Sequence, residues 1–223
     1  MRINADFSQR VLIRTQEQGW VPSPLPGVAR RMLDRIGDEV ARATSVVRYD
    51  PGSSFAPHVH GGGEEFLVLS GVFQDESGDF PAGSYVRNPP QSQHVPRSEP
   101  GCVILVKLWQ FDPDDRSHVI IDTNKIGAVA DAARPGVSVT PLFQDALETV
   151  AIEAWTPDTQ APLDCTGGAE LFLLSGSLTE SRETLGPETW LRLPDGVPAQ
   201  LTAGPEGARF WIKRGHLAHA PRA

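Results

Sequence analysis

Cysteine is scarce in this chain: only Cys102 and Cys165 occur in 223 residues. That count excludes a disulfide framework and fits a reducing compartment. No apolar run approaches the roughly 18 residues of a membrane span. The opening residues, Met1-Arg2-Ile3-Asn4-Ala5-Asp6-Phe7-Ser8, put an acid where a secretory signal needs its apolar core. The expectation is a soluble, cytoplasmic protein. Basic residues are outnumbered, 20 against 28, for a formal charge of −8. That balance repels phosphate backbones and anionic membranes, so neither nucleic acid nor a membrane is an expected partner. There is no glycine-rich phosphate loop, no Cys-x-x-Cys pair and no defensible Ser/His/Asp set.

Against these shortages stand 20 prolines and 21 glycines, roughly half again the average share. They point to many turns between short elements and argue against a helical bundle. Short apolar runs at 44–49, 65–70, 102–111, 150–155 and 170–174 are each bounded by Gly, Pro, Asp or Ser. Their length and their β-branched and aromatic content predict strands, and their spacing predicts a sandwich or barrel. Only 27–34 and 36–43 have the pattern of short helices.

The chain also repeats itself. Glu65-Phe66-Leu67-Val68-Leu69-Ser70-Gly71 recurs as Glu170-Leu171-Phe172-Leu173-Leu174-Ser175-Gly176, an offset of 105. The same offset pairs Gly62-Gly63 with Gly167-Gly168, Arg87 with Arg192 and Pro89 with Pro194, and Val11–Thr15 resembles Val119–Thr123 at 108. Collinear matches at a nearly constant offset predict two copies of one fold, 1–115 and 116–223, joined at the polar segment 112–117.

Chemistry concentrates in the first copy, in Gly52-Ser53-Ser54-Phe55-Ala56-Pro57-His58-Val59-His60-Gly61-Gly62-Gly63-Glu64-Glu65. On a strand, His58 and His60 project from one face, about 7 Å apart along the backbone. Three glycines let the chain turn and bring a carboxylate back to the same spot. The proline-stiffened run Asn88-Pro89-Pro90-Gln91-Ser92-Gln93-His94 delivers a third imidazole. Three imidazoles and one carboxylate suit Zn²⁺, Fe²⁺, Mn²⁺ or Ni²⁺ rather than Ca²⁺ or Mg²⁺.

The spacing Gly52-(x5)-His58-x-His60-(x3)-Glu64-(x6)-Gly71 resembles the first cupin motif position by position. The second motif is partly present: Gly78 precedes Pro81-x-Gly83, and His94 comes later than the usual spacing. More narrowly, the run from His58 to Phe73 and the segment Gly83-Ser84-Tyr85-Val86-Arg87-Asn88-Pro89-Pro90 are similar to the cupin-like domain of the ChrR anti-sigma-factor family. The resemblance implies an all-β fold of two tandem double-stranded β-barrels of jelly-roll type, a bicupin. It implies one divalent transition metal in the first barrel, held by His58, His60, Glu64 and His94. Zinc is the ion expected first, with iron(II), manganese or nickel as alternatives. Motif spacing selects Glu64, with Glu65 as the runner-up.

In the second copy the 105 offset replaces these ligands by Leu163, Cys165, Ala169 and Ala199. That copy is expected to be structural, with Cys165 as a small buried hydrophobe. Cys102 is expected in the core; His118, His216 and His219 are expected in solvent. Tyr85, Arg87, Lys107 and Trp109 are candidates to line the mouth of the first barrel.

Two functions fit one metal site. The resemblance implies a regulatory or stress-response domain, but the helical His/Cys zinc module that grips a sigma factor in that family has no counterpart here, which argues against direct sigma-factor binding. The alternative is an iron(II)-dependent dioxygenase that cleaves diketones or hydroxylated aryl ketones, with a small-molecule ligand as partner. A homodimer through remaining sheet edges is compatible with either.

Overall fold

The computed structural model describes residues 1–219. Strands dominate, and among the described residues the helical content is one 3₁₀ turn, Thr15–Glu17. The two segments with a helical pattern are strands, Val28–Gly37 and Ala41–Tyr49, paired antiparallel from Val28↔Tyr49 to Gly37↔Ala41. Their apolar residues are spaced for a helix, yet pairing with Cys102–Leu108 buries Ala43, Val46 and Val47 and overrides the local pattern.

The chain forms two compact units. The first holds Met1–Ala5 and Gln18–Lys125; the second holds Asp6–Glu17 and the chain from Ile126 onward. The joint expected near residue 116 therefore falls later, and a short early segment belongs to the second unit.

In the first unit, one antiparallel path runs through Arg2–Ile3, Val28–Gly37, Ala41–Tyr49, Cys102–Leu108, Glu64–Asp75, Ser84–Asn88 and Val119–Asp122. Ser53–Ser54, Gly78–Pro81 and Arg97–Ser98 pair around the far half of Glu64–Asp75, and a separate ribbon joins His58–Val59 to Gln93–His94. Its core gathers Phe66, Val68, Phe73, Phe80, Val86, Ile104 and Val106. Strand Glu64–Asp75 bends at Gly71, whose φ is +72°. A β-carbon there would strike the Gly101 carbonyl, so this position requires glycine.

The second unit has the same order of pairing. Val129–Ala130, Val137–Gln144, Thr149–Trp155, Ala199–Arg214, Ala169–Glu180, Thr189–Leu193 and Val11–Arg14 form its path. Gly176 repeats the bend, with φ +74° and its open side against the Gly207 carbonyl. The weak likeness of Val11–Thr15 to Val119–Thr123 now has a structural meaning. Val119 pairs with Arg87 in the first unit, and Val11 pairs with Arg192 in the second. Among the described residues, no helix is long and apolar enough to cross a membrane.

Candidate metal centre

His58 and His60 flank Val59 on the short ribbon, and His58 lies directly opposite His94. The backbone of His60 is fixed on both sides: its N–H donates to the Ser92 carbonyl at 2.9 Å and its carbonyl accepts from Gln91 at 2.8 Å. The glycine triplet then folds beneath two aromatic rings. A β-carbon at Gly61 or Gly62 would overlap Trp109, and one at Gly63, where φ is +78°, would overlap Phe111. The Trp109 N–H donates to the Gly63 carbonyl at 3.1 Å, which closes the turn and starts the next strand at Glu64. Glycine is thus required by packing as well as by backbone angle.

The result is a tight cluster. Ring centroids are 5.0 Å apart for His58 and His60, 4.9 Å for His58 and His94, and 4.6 Å for His60 and His94. Each of His58, His60, Glu64 and His94 offers one donor atom, and these atoms lie within 4.8 Å of one another. His60, Glu64 and His94 are buried, while His58 is exposed and leaves one side of the cluster open.

Hydrogen bonding fixes which nitrogens face inward. The Ser92 hydroxyl donates to the Pro89 carbonyl at 2.6 Å, so at 3.0 Å it accepts from His60 Nδ1–H. His94 Nδ1 lies 3.3 Å from Asp75 Oδ2, and a proton on that nitrogen donates to the carboxylate. Neutral His60 and His94 therefore carry bare Nε2 atoms, and both are buried without a hydrogen-bond partner. They face Glu64 Oε2 at 3.4 and 3.6 Å. Lone pairs converging on a carboxylate oxygen repel unless a cation stands among them, and a divalent ion satisfies all three. The donor set and its orphaned nitrogens fit such an ion.

The two buried histidines differ in electrostatics. Burial lowers the pKa of His60 below the ordinary histidine value despite the charge of Glu64. Burial also acts on His94, but the hydrogen bond to Asp75 and the charges of Glu64 and Asp75 outweigh it and raise its pKa. Asp75 itself is held below the usual carboxylate range: burial opposes this, and the hydrogen bonds from His94 and the Ser77 backbone prevail.

Glu65, the runner-up, points elsewhere: it is 1% exposed and accepts a hydrogen bond from Tyr85 Oη at 2.8 Å. Tyr85, Arg87 and Lys107 are buried rather than at a mouth. Arg87 stacks on Phe111 and pairs with Asp115 at 2.8 Å. Of those four candidates Trp109 alone is exposed, over the glycine turn. Sequence reasoning missed Asp75, Asn88 and Ser92 as partners of the cluster. Asn88 and Ser92 lay in the quoted run before His94; nothing local marked Asp75. A cavity of about 140 Å³ lies beside His94, lined by Asp75, Phe80, Asn88, Ser92 and His118 among others.

Comparison with known proteins agrees with this fold. Residues 8–112 match the family described as the ChrR cupin-like domain. Among solved structures, similarity extends to a Nostoc punctiforme protein provisionally assigned as a dioxygenase, at 16% identity over 95% of this chain and 84% of that one, TM-score 0.78. YlbA from Escherichia coli matches at 12% identity over 95% and 93%, TM-score 0.72. The fold is a cupin fold. The bacterial pirin YhhW from E. coli, solved in complex with nickel(II), shares it at 14% identity over 93% and 99%, TM-score 0.65. By sequence, the chain matches no curated protein.

Among the described residues, the second unit lacks the cluster. Leu163 pairs with Ala199 there as His58 pairs with His94 in the first unit. Leu163, Cys165, Ala169 and Ala199 are all buried in one apolar core. Burial pushes the Cys165 thiol up to about 11, the behaviour of an inert core cysteine. Cys102 is likewise buried, with its thiol pushed up to about 11. His219 is exposed, but His216 is not in solvent: it is buried, with Nε2 3.1 Å from Glu170 Oε1.

Proposed function

We propose that this cupin binds one divalent transition-metal ion through His58, His60, Glu64 and His94, and that it acts as a ChrR-like regulatory or stress-response domain. The observation that carries the reading is the pair of buried, partnerless Nε2 atoms of His60 and His94 aimed at Glu64. Three imidazoles and a carboxylate complete a four-ligand set, and zinc is the first candidate for it. The second unit is a scaffold in this reading, descended with the first from one duplicated barrel. The parallel pairing orders and the matched bends at Gly71 and Gly176 support that descent.

A second reading has its own support. His58 is exposed, so one side of the cluster is reachable by a small molecule. A redox-active ion there would supply Lewis acidity and oxygen chemistry, as in a dioxygenase acting on diketones or hydroxylated aryl ketones. His60 and His94 would keep their rings fixed through Ser92 and Asp75, and Glu64 would be the group able to accept a proton.

Metal analysis of protein purified without added metal, followed by oxygen-uptake assays on diketones, separates the two. About one zinc per chain with no oxygen consumption supports the regulatory reading; bound iron with substrate-dependent uptake supports the enzyme. His60→Ala is expected to abolish metal content, whereas Cys165→Ala leaves it near one ion per chain. Metal retained by His60→Ala would overturn both readings.

A further inference from the structure

His118 is exposed just ahead of strand Val119–Asp122, as expected, and it lies beyond residues 8–112 that match the family. The fold also gives it a partner. Strand Val119–Asp122 adds to Ser84–Asn88, with Val119 opposite Arg87, which brings His118 alongside Asn88. His118 Nε2 lies 3.1 Å from Asn88 Oδ1. Asn88 Nδ2 in turn donates to Glu64 Oε2 at 3.2 Å, the same oxygen that His60 and His94 face.

The chemistry of this relay allows one arrangement. An ionised Glu64 accepts only, so Asn88 must present its NH₂ to it and its carbonyl oxygen to His118. That oxygen needs a donor, so His118 carries its proton on Nε2. Without the histidine the amide loses one of its two side-chain hydrogen bonds, and the direction from which it meets the carboxylate is loosened. The geometry points to His118 as a positioning residue for Glu64: through Asn88 it fixes the direction in which the carboxylate meets the ion. The second unit supports this by contrast. Its residue at the register of Asn88 is Leu193, and the residue before Val11 there is Arg10, which pairs with Glu180 and Glu183. Where no ligand has to be aimed, neither member of the relay is present.

The inference rests on the metal-binding reading of the cluster and is tested separately from it. Wild type, His118→Ala, His118→Gln and Asn88→Leu are compared for metal affinity by competition with a chelator. The absorption spectrum of the cobalt(II)-loaded protein and the melting temperature of the metal-free protein are recorded alongside. Partners behind a ligand typically contribute ten- to a hundredfold in metal affinity. His118→Ala is expected to weaken binding about tenfold and alter the cobalt spectrum, with the metal-free melting temperature unchanged because the side chain is exposed. His118→Gln, which keeps a donor, should recover part of the loss, and Asn88→Leu should lose more. Wild-type affinity and spectrum in His118→Ala would overturn the proposal while the metal site stands. A loss of affinity that tracks a lower metal-free melting temperature would also overturn it, as a structural effect. A wild type that binds no metal would instead remove the reading beneath it.

Discussion

An imidazole serves a metal only when one nitrogen is bare and aimed, and that depends on what holds the other nitrogen. In this chain, Ser92 and Asp75 hold the other nitrogens of His60 and His94. The four residues that converge were legible in the sequence because motif spacing is local. The partners were not, because Asp75 closes a strand that begins at Glu64, and His118 sits just ahead of a strand from beyond the expected joint. A second buried charge shows the same dependence on distant residues. Glu153, fully buried, accepts from Arg134 and from Trp155 Nε1 and pairs with Arg214. Burial raises its pKa, but the two guanidinium groups prevail and hold it below the usual range. A carboxyl with a depressed folded-state pKa contributes stability that is present above its unfolded value and lost as pH falls through the folded one. Glu153→Gln should therefore cost about 3 kcal/mol at neutral pH. In urea melts, the gap between wild type and Glu153→Gln should narrow as pH falls below the ordinary carboxylate range. A gap that is constant with pH would mean that the ionised carboxylate does not stabilise the fold.

Among the elements, strands were legible from short apolar runs, and the motif-bearing ones lie where the sequence predicts. Glu64–Asp75 and Ala169–Glu180 extend the predicted runs 65–70 and 170–174 past the bends at Gly71 and Gly176. The failure at 27–34 and 36–43 is instructive. Apolar spacing there satisfies a helix, but Asp34 and Thr44 are fully buried, and the Thr44 N–H donates to Asp34 Oδ1 at 2.9 Å across a hairpin. That bond exists only after pairing, so periodicity could not register it. Gly71 tests the bend directly. Gly71→Ala places a β-carbon against the Gly101 carbonyl at a positive φ, and a cost above about 1 kcal/mol in denaturant unfolding is expected. Wild-type stability in that variant would show that the strand can straighten.

At the scale of the whole molecule, the internal repeat was visible as an offset of matching residues, but the assignment of segments to units was not. Residues Asp6–Glu17 complete the second unit, and Val119–Asp122 completes the edge of the first. Leu12, opposite Leu191, packs on the core of the second unit. Leu12→Asp should therefore destabilise that unit, seen as a lower-temperature transition in calorimetry, while metal content stays near one ion per chain. Loss of the ion with no change in melting would contradict this division of the chain.

The amino-acid sequence alone determined the donor types, their spacing, the turn glycines between them and the replacement of each donor in the repeat. These are properties of neighbouring residues and of strand alternation, readable without coordinates. Only the tertiary structure decided which nitrogens are bare and which distant side chains hold them there. Ring orientation and protonation are set by hydrogen bonds between segments that meet only when the barrel closes.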